Sequence, residues 1–101
     1  MEATTPKFQG GHLFLEVYIA GPTPAGLRAV TNLELLCAEV CPDGAYEIKV
    51  IDIAASPDIA DKHAIMATPT VVRRAPPPMK RIIGDLTDRD VVMQGLMLLV
   101  G

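Results

Sequence analysis

The sequence has few of the residues that mark several protein classes. Two of its 101 residues are cysteines, too few for a disulfide framework and suggestive of a reducing compartment. Four are aromatic and none is tryptophan, so aliphatic side chains must fill the core. The net charge of −3 gives no general case for nucleic-acid binding, and no apolar run is long enough to span a membrane. We therefore expect one small globular domain.

The N-terminal residues have the composition of a tail. Residues 1–11 are polar and glycine-rich, and they lack the apolar core of a secretory signal. We expect residues 1–11 to be flexible and residues 12–101 to form one domain. A cytoplasmic location is the corresponding expectation.

The first half of the chain predicts a strand, a long helix and a second strand. Leu13–Ala20 is almost continuously apolar, which is typical of a strand buried on both faces. Thr23 is a good N-cap and Pro24 suits the first helical turn, while Pro42–Gly44 ends the helix. Tyr46–Ile53 predicts a strand parallel to the first, with a right-handed crossover. The helix positions that we expect to face the core are Leu27, Val30, Leu33, Leu36 and Val40.

The second half gives weaker signals. Ser56 and Pro57 mark a helix start, and a short helix is expected over Ile59–Met66. Thr70–Arg74 predicts a strand and Lys80–Ile83 a short edge strand.

The C-terminal segment predicts a last helix. Thr87–Asp90 resembles a capping box, with aspartate in place of the preferred glutamate. The apolar residues Gly95–Val100 fit either a helix end or a strand. The positions expected on the apolar side of this helix are Val91, Val92, Leu96 and Leu99. The resulting order, βαβ followed by αββα, is that of a thioredoxin-like α/β fold.

The residues that redox chemistry needs are missing from the expected place. A thioredoxin-like oxidoreductase carries Cys-x-x-Cys after the first strand, where this chain has Gly21–Pro24. Cys37 and Cys41 lie four residues apart on the long helix, and a metal would need two further ligands, for which only His12 and His63 remain. We therefore predict buried apolar cysteines, no metal, no cofactor and no enzymatic activity.

Three further features remain open at this stage. Asp52, at a strand end, is interpreted as structural or surface. Pro69 precedes the third strand, where thioredoxin-like folds commonly have a cis peptide, and the cis form is favoured over an ordinary trans proline. The basic residues around the triple proline fit either a solvated edge that blocks strand addition or a docking surface for an acidic partner. These basic residues are Arg73, Arg74, Lys80 and Arg81.

Taken together, the segments of the chain resemble the KaiB family, the small proteins of the bacterial circadian clock. The matching segments are Leu15–Gly21, Thr23–Pro24, Leu27–Ala29, Ile48–Asp52, Ile65–Thr70, Pro76–Pro78, Arg81–Leu86, Arg89, Gly95–Leu96 and Leu98–Leu99. They follow one another in order over nearly the whole expected domain, and their combination is specific although each is weak alone.

The resemblance implies a non-catalytic clock or timer component. KaiB-like proteins bind the N-terminal ATPase ring of the hexamer KaiC, modulate its cycle, and in cyanobacteria recruit KaiA and compete with the histidine kinase SasA. The resemblance also implies fold switching between a free dimer or tetramer, with a different second half, and a thioredoxin-like monomer that binds KaiC. The chain departs from the cyanobacterial pattern at Pro22, Arg74, Val91 and Met97, which leaves KaiA open as a partner.

By the same resemblance, several residues are assigned to partners or to the switch. The partner-binding residues are Arg28, Lys62, His63, Arg73, Lys80 and Arg81. Gly95 and Met97 are expected to control the balance between folds, and Pro69 its rate. Two other functions stay in competition: a stress-related adaptor on another ATPase or kinase, and a thiol-dependent oxidoreductase, which the empty turn disfavours.

Overall fold

The computed structural model describes residues 11–98, and in this range the elements follow the predicted order. The predicted tail, apart from Gly11, and Leu99–Gly101 lie outside the described residues. The elements are β1 (Leu13–Ile19), α1 (Pro24–Val40), β2 (Tyr46–Asp52), α2 (Pro57–Lys62), β3 (Thr70–Ala75), β4 (Lys80–Ile83) and α3 (Arg89–Gly95).

The four strands form one mixed sheet in the order β2-β1-β3-β4. β1 is parallel to β2, with Val17 opposite Val50, and antiparallel to β3, with Val17 opposite Val71. β4 is antiparallel to β3, with Val72 opposite Arg81. β1 therefore lies inside the sheet, which explains its almost continuous apolar sequence.

The two faces of the sheet carry different helices. α1 and α3 cover the face that holds the larger core, to which Leu15, Val17 and Val71 contribute. α2 covers the opposite face over a smaller core built on Tyr18, Ile65 and Val72. In the part of the chain described here, no helix is long and apolar enough to cross a bilayer.

The start of α1 confirms the predicted cap. The Thr23 hydroxyl accepts a hydrogen bond from the Gly26 amide at 3.0 Å, and Pro24 is the first helical residue. Leu27 was predicted to be buried, and this prediction is wrong, since its side chain is 56% exposed. The side of α1 that faces the sheet is centred on Ala29 and Leu33 instead.

α2 is shorter than predicted. It ends at Lys62 because Ala64 has the left-handed φ of 54°, which stops the helix before Met66. Ser56 occupies the N-cap position, but its side chain makes no capping hydrogen bond.

α3 differs from prediction at both ends. Its N-cap is Asp88, whose carboxylate accepts from the Val91 amide at 3.2 Å, whereas the Thr87 hydroxyl donates to Asp85. Val91 is exposed, and Met93 occupies the core instead. The chain leaves the helix at Leu96, so over 95–98 it forms a helix end and a turn, not a strand.

The prolines before and after β3 include cis peptide bonds. The Thr68–Pro69 bond is cis, which confirms the favoured alternative, and the Ala75–Pro76 and Pro77–Pro78 bonds are also cis. Pro69 itself is buried.

Candidate protein-binding surface

The turn where a redox protein carries its cysteines is held by a carboxylate. Asp52, at the end of β2, accepts hydrogen bonds from the backbone amides of Gly21 and Ala54, both at 2.9 Å. The carboxylate thus links the end of β2 to the turn that follows β1. Asp52, interpreted from the sequence as structural or surface, therefore has a structural role in this turn.

The two cysteines face the core from α1. Cys37 is fully buried and Cys41 is 3% exposed. Burial, followed by the nearby Cys41 and Glu34, raises the pKa of the Cys37 thiol to about 12, and burial also raises the pKa of Cys41. Both thiols stay protonated near neutral pH, which suits packing and not nucleophilic chemistry. Among residues 11–98, no three side chains of the kinds that bind metals come together.

Three of the predicted partner-binding residues lie together on the α2 side of the sheet. Lys62 is exposed in the last turn of α2, and His63 follows it. Arg81 reaches over from β4 and donates to the carbonyl oxygens of His63 and Ala64 at 2.9 and 2.8 Å. We call Lys62, His63 and Arg81 the α2-side patch.

Arg28 lies apart from this patch, on the helix that covers the opposite face. Its Nε donates to the Asp85 carboxylate at 3.0 Å, and Asn32 donates to the Asp85 carbonyl at 2.9 Å. Hydrogen bonds from Thr87 and then from Arg28 hold the pKa of Asp85 below its usual value. Arg28 is exposed, so it is accessible as a separate contact point.

Arg73 is not at the surface, and here the structure corrects the prediction. The residue is 5% exposed. Its Nη1 donates to the carbonyl oxygens of Leu96 and Met97, both at 2.8 Å, and its Nε donates to Pro76 at 3.0 Å. Its side chain lies on the α3 side of the inner strand β3, so it holds the end of α3 and is not available to a partner in this structure.

Lys80 is half-buried and lies opposite Arg73 in the β3–β4 register. Because side chains alternate along a strand, Lys80 and Arg81 lie on opposite faces of the sheet. The predicted positive patch around the triple proline is therefore divided between the two faces.

A polar network beside the α2-side patch was not predicted. Arg74 donates from Nε to the Glu16 carboxylate, and from Nη2 to the Tyr18 hydroxyl at 3.0 Å. The Tyr18 hydroxyl donates to Glu16 at 2.9 Å, and Nδ1 of His63 lies 3.1 Å from Nη2 of Arg74. The available signal was Glu16 itself, since a charge inside a buried strand needs a buried partner.

The two residues expected to control the balance between folds, Gly95 and Met97, lie at the end of α3. Gly95 packs so closely that an added Cβ would lie 2.4 Å from Cδ1 and 2.7 Å from Cγ1 of Ile82. Met97 has a left-handed φ of 55°, and its carbonyl accepts from Arg73. The role of both residues in a switch stays a prediction.

Comparison with known families decides where the chain belongs. The KaiB domain family matches residues 16–98. The chain belongs to the KaiB family. It is 49% identical over 86 residues to the circadian clock oscillator protein KaiB of Prochlorococcus marinus strain NATL2A, covering 84% of this chain and 78% of that protein. It is 46% identical over 87 residues to KaiB of a Synechococcus species, covering 86% and 84%.

Solved structures confirm the thioredoxin-like fold. The N-terminal domain of Synechococcus elongatus SasA superposes with a TM-score of 0.71 at 22% identity, over 100% of this chain and 98% of that domain. Mitochondrial thioredoxin 3 of Saccharomyces cerevisiae gives a TM-score of 0.65 at 19% identity, over 89% and 81%. At these identities the likeness concerns the fold alone. This member of the KaiB family has the thioredoxin-like arrangement, including its second half.

Proposed function

We propose that this protein is a non-enzymatic clock or timer component that binds the ATPase ring of a KaiC-type hexamer in the cytoplasm. The observation that carries the proposal is the KaiB domain over residues 16–98, with 49% identity to a clock oscillator protein. The thioredoxin-like arrangement supports it, because this is the form in which KaiB-like proteins are expected to meet KaiC. SasA, the expected competitor for KaiC, shares the same fold in its N-terminal domain.

A binding role fits the residues better than catalysis does. The turn Gly21–Pro24 contains no thiol, and both cysteines are buried with raised pKa values. An insulin-reduction assay tests this part of the proposal, and turnover by the purified chain would restore the oxidoreductase alternative.

The α2-side patch is the contact surface that we favour. It brings Arg81 onto the carbonyl of His63, the residue after the exposed Lys62, on a chain of net charge −3, and the exposed Ile83 lies on the same sheet face as Arg81. A basic surface with apolar side chains beside it suits an acidic partner surface that also offers apolar contacts. Arg28 supplies a second contact point on the other side of the sheet.

Capture by an immobilised KaiC-type hexamer, loaded with ADP or with ATP, tests the proposal. Lys62→Ala is the cleanest variant, because the Lys62 side chain makes no hydrogen bond or ion pair with the described residues. We expect Lys62→Ala and Arg81→Ala to weaken capture and to reduce its dependence on salt. Lys49→Ala, which removes the same charge from an exposed position on β2, is the matched control.

The capture assay also separates the competing functions. Loss of capture in Lys62→Ala but not in Lys49→Ala supports the α2-side patch. Equal capture by all variants removes the assignment of residues. Absence of capture by every KaiC-type ring favours a stress-related adaptor on another ATPase or kinase.

We further propose that the free chain exchanges this second half for another packing and assembles as a dimer or tetramer. The apolar run after Gly95, which fits a helix end or a strand, supports the exchange. Because only the thioredoxin-like form would bind the KaiC-type hexamer, the apparent affinity for the hexamer falls when a smaller fraction of the chains is in that form. Two-dimensional NMR and light scattering test this proposal. A single set of NMR peaks that is the same in the free protein and in the complex, together with a monomeric mass by light scattering, contradicts it. A KaiA or a histidine kinase is a secondary partner under the same proposal.

A further inference from the structure

One side of α1 faces the segment that leads from β4 into α3. Helical spacing places four side chains in one row on this side, namely Arg28, Asn32, Leu35 and Glu39. An ion pair between Arg28 and Asp85 joins this row to residues 85–92 at one end. An ion pair between Glu39 and Arg89 joins the same two walls at the other end.

A groove of about 190 Å³ lies between these two walls. Its lining includes the buried side chains of Leu36, Leu86 and Val92. Leu35 also lines the groove, yet it is 66% exposed. An exposed leucine beside an open apolar groove keeps apolar surface in water, so covering both is favourable. We call the groove and the row of α1 beside it the α1–α3 face.

The charges around the groove form a pattern that is complementary to itself. Along α1, the positive Arg28 and the negative Glu39 lie about 16 Å apart. The opposite wall carries the reverse order, because the negative Asp85 lies beside Arg28 and the positive Arg89 beside Glu39. A second copy whose α1 runs antiparallel, related by a two-fold axis, therefore meets opposite charges throughout. Arg28 of one copy then faces Glu39 of the other, and Asp85 faces Arg89.

We propose that the thioredoxin-like form pairs with a second copy of itself through the α1–α3 face, with the two α1 helices antiparallel. Leu35 lies about 2 Å along the helix from the midpoint between Arg28 and Glu39, so both copies of Leu35 lie near the axis and cover each other's groove. The antiparallel arrangement also sets opposite ends of the two helix dipoles side by side. Parallel α1 helices would instead bring Arg28 against Arg28 and Glu39 against Glu39, which repulsion disfavours.

This pair differs from the dimer or tetramer of the other packing proposed above. One wall of the groove comes from α1 and the other from residues 85–92, so the face forms only when the second half has the thioredoxin-like arrangement. The pairing does not depend on the proposed KaiC-type partner, which would compete with the second copy for Arg28. Its test uses the isolated protein, so a failed capture assay and a failed pairing are separate results.

The apolar part of the face is tested by a matched pair of variants. Sedimentation equilibrium in low salt, at protein concentrations up to about 1 mM, gives the dissociation constant of the dimer. Leu35→Gln should raise this constant about tenfold or more, because the change acts twice in a two-fold interface. Leu27→Gln changes another exposed leucine of α1, outside the groove, and should leave the constant almost unchanged. Amide NMR peaks that shift on dilution should belong to α1 and residues 85–92.

The antiparallel arrangement is tested by mixing Arg28→Glu with Glu39→Arg. Each variant alone places like charges at both ends of the pair, whereas in a mixed dimer the charges at both ends are opposite. We expect the mixed dimer to bind about tenfold or more tightly than either variant binds itself. Loss of the internal ion pairs is the same alone and in the mixture, so it does not produce this gain.

Four results would overturn the proposal. They are a chain that stays monomeric, no gain in affinity on mixing, equal effects of Leu35→Gln and Leu27→Gln, and a dimer in which the NMR shifts of residues 80–95 do not show β4 and α3. If Leu35→Gln does not fold, the mixing experiment decides.

Discussion

Arg73 and Arg74 are neighbours in β3, and their guanidinium groups lie on opposite faces of the sheet. Arg73 binds the carbonyl oxygens of Leu96 and Met97 at the end of α3, whereas Arg74 binds Glu16 and Tyr18 of β1 and reaches His63 at the end of α2. Each arginine thus ties β3 to a different helix end of the second half. These are the contacts that an exchange to another packing of the second half would have to break.

The first prediction concerns Arg73. Arg73→Met keeps an unbranched side chain of similar length but leaves three carbonyl oxygens without their donor. We expect the free energy of unfolding to fall by about 2 kcal/mol or more, because carbonyls that lose a buried donor are costly. Urea unfolding gives the value, and NMR peaks of Leu96 and Met97 should shift most.

Arg28→Met is the control for this change. Arg28 is exposed and makes one surface ion pair with Asp85, so its loss should cost at most about 1 kcal/mol. Equal losses of stability in Arg28→Met and Arg73→Met would show that Arg73 does not fasten α3 as described.

The second prediction concerns the contact between α3 and β4. Alanine at position 95 gains helix propensity of up to about 1 kcal/mol, but its Cβ would displace Cδ1 and Cγ1 of Ile82. We therefore expect Gly95→Ala to be more favourable by about 1 kcal/mol in an Ile82→Ala background than in the unchanged protein. A double-mutant cycle of unfolding free energies measures this coupling. Strict additivity of the two changes would contradict the close contact.

Local signals predicted the elements of this fold well. Thr23 and Pro24 correctly predicted the start of α1, and the apolar run of β1 correctly indicated that this strand lies inside the sheet. Both signals are readable because helix caps and apolar patterns depend on residues that are neighbours in sequence. The early end of α2 was missed, because the local sequence shows neither the left-handed backbone of Ala64 nor the hydrogen bond that its carbonyl accepts from Arg81 of β4.

The candidate site was harder to predict than the fold. The family resemblance supplied Lys62, His63 and Arg81, and the structure brings these three together. The same resemblance also assigned Arg73 to a partner, and only the tertiary packing of α3 shows that its hydrogen bonds are internal. The network of Glu16 and Arg74 joins residues 58 positions apart, a pairing that one sequence without an alignment does not reveal.

The third prediction concerns Met97. Its left-handed φ of 55° is unfavourable for a residue with a Cβ. Its side chain is 47% exposed, so shortening it removes little buried apolar surface. Met97→Gly should be more stable in the thioredoxin-like arrangement than Met97→Ala by about 1 kcal/mol, because alanine keeps the strain and glycine does not. Urea unfolding of both variants checks this. If the Met97→Ala variant is as stable as the Met97→Gly variant, or more stable, the left-handed turn is absent in solution.

The fourth prediction concerns acid stability. Burial by itself raises the pKa of the Glu16 carboxyl, but hydrogen bonds from Arg74 and Tyr18 and the charge of Arg74 outweigh it, so the pKa lies below its ordinary value. A lowered pKa in the folded state means that the unfolded chain binds the proton more readily. The stability that Glu16 contributes is therefore fully present above its ordinary value and is lost as the pH falls through the lowered one, in the range below about pH 4.3.

Glu16→Gln removes this titration and should flatten the loss of stability over that acid range, while lowering stability near neutral pH because the ion pair with Arg74 is gone. Glu47→Gln makes the same change at an exposed position on β2 and is the matched control. Urea unfolding at a series of pH values compares the three. If Glu16→Gln and Glu47→Gln give the same curve, Arg74 does not hold the Glu16 carboxylate in solution, and the network beside the α2-side patch is not formed.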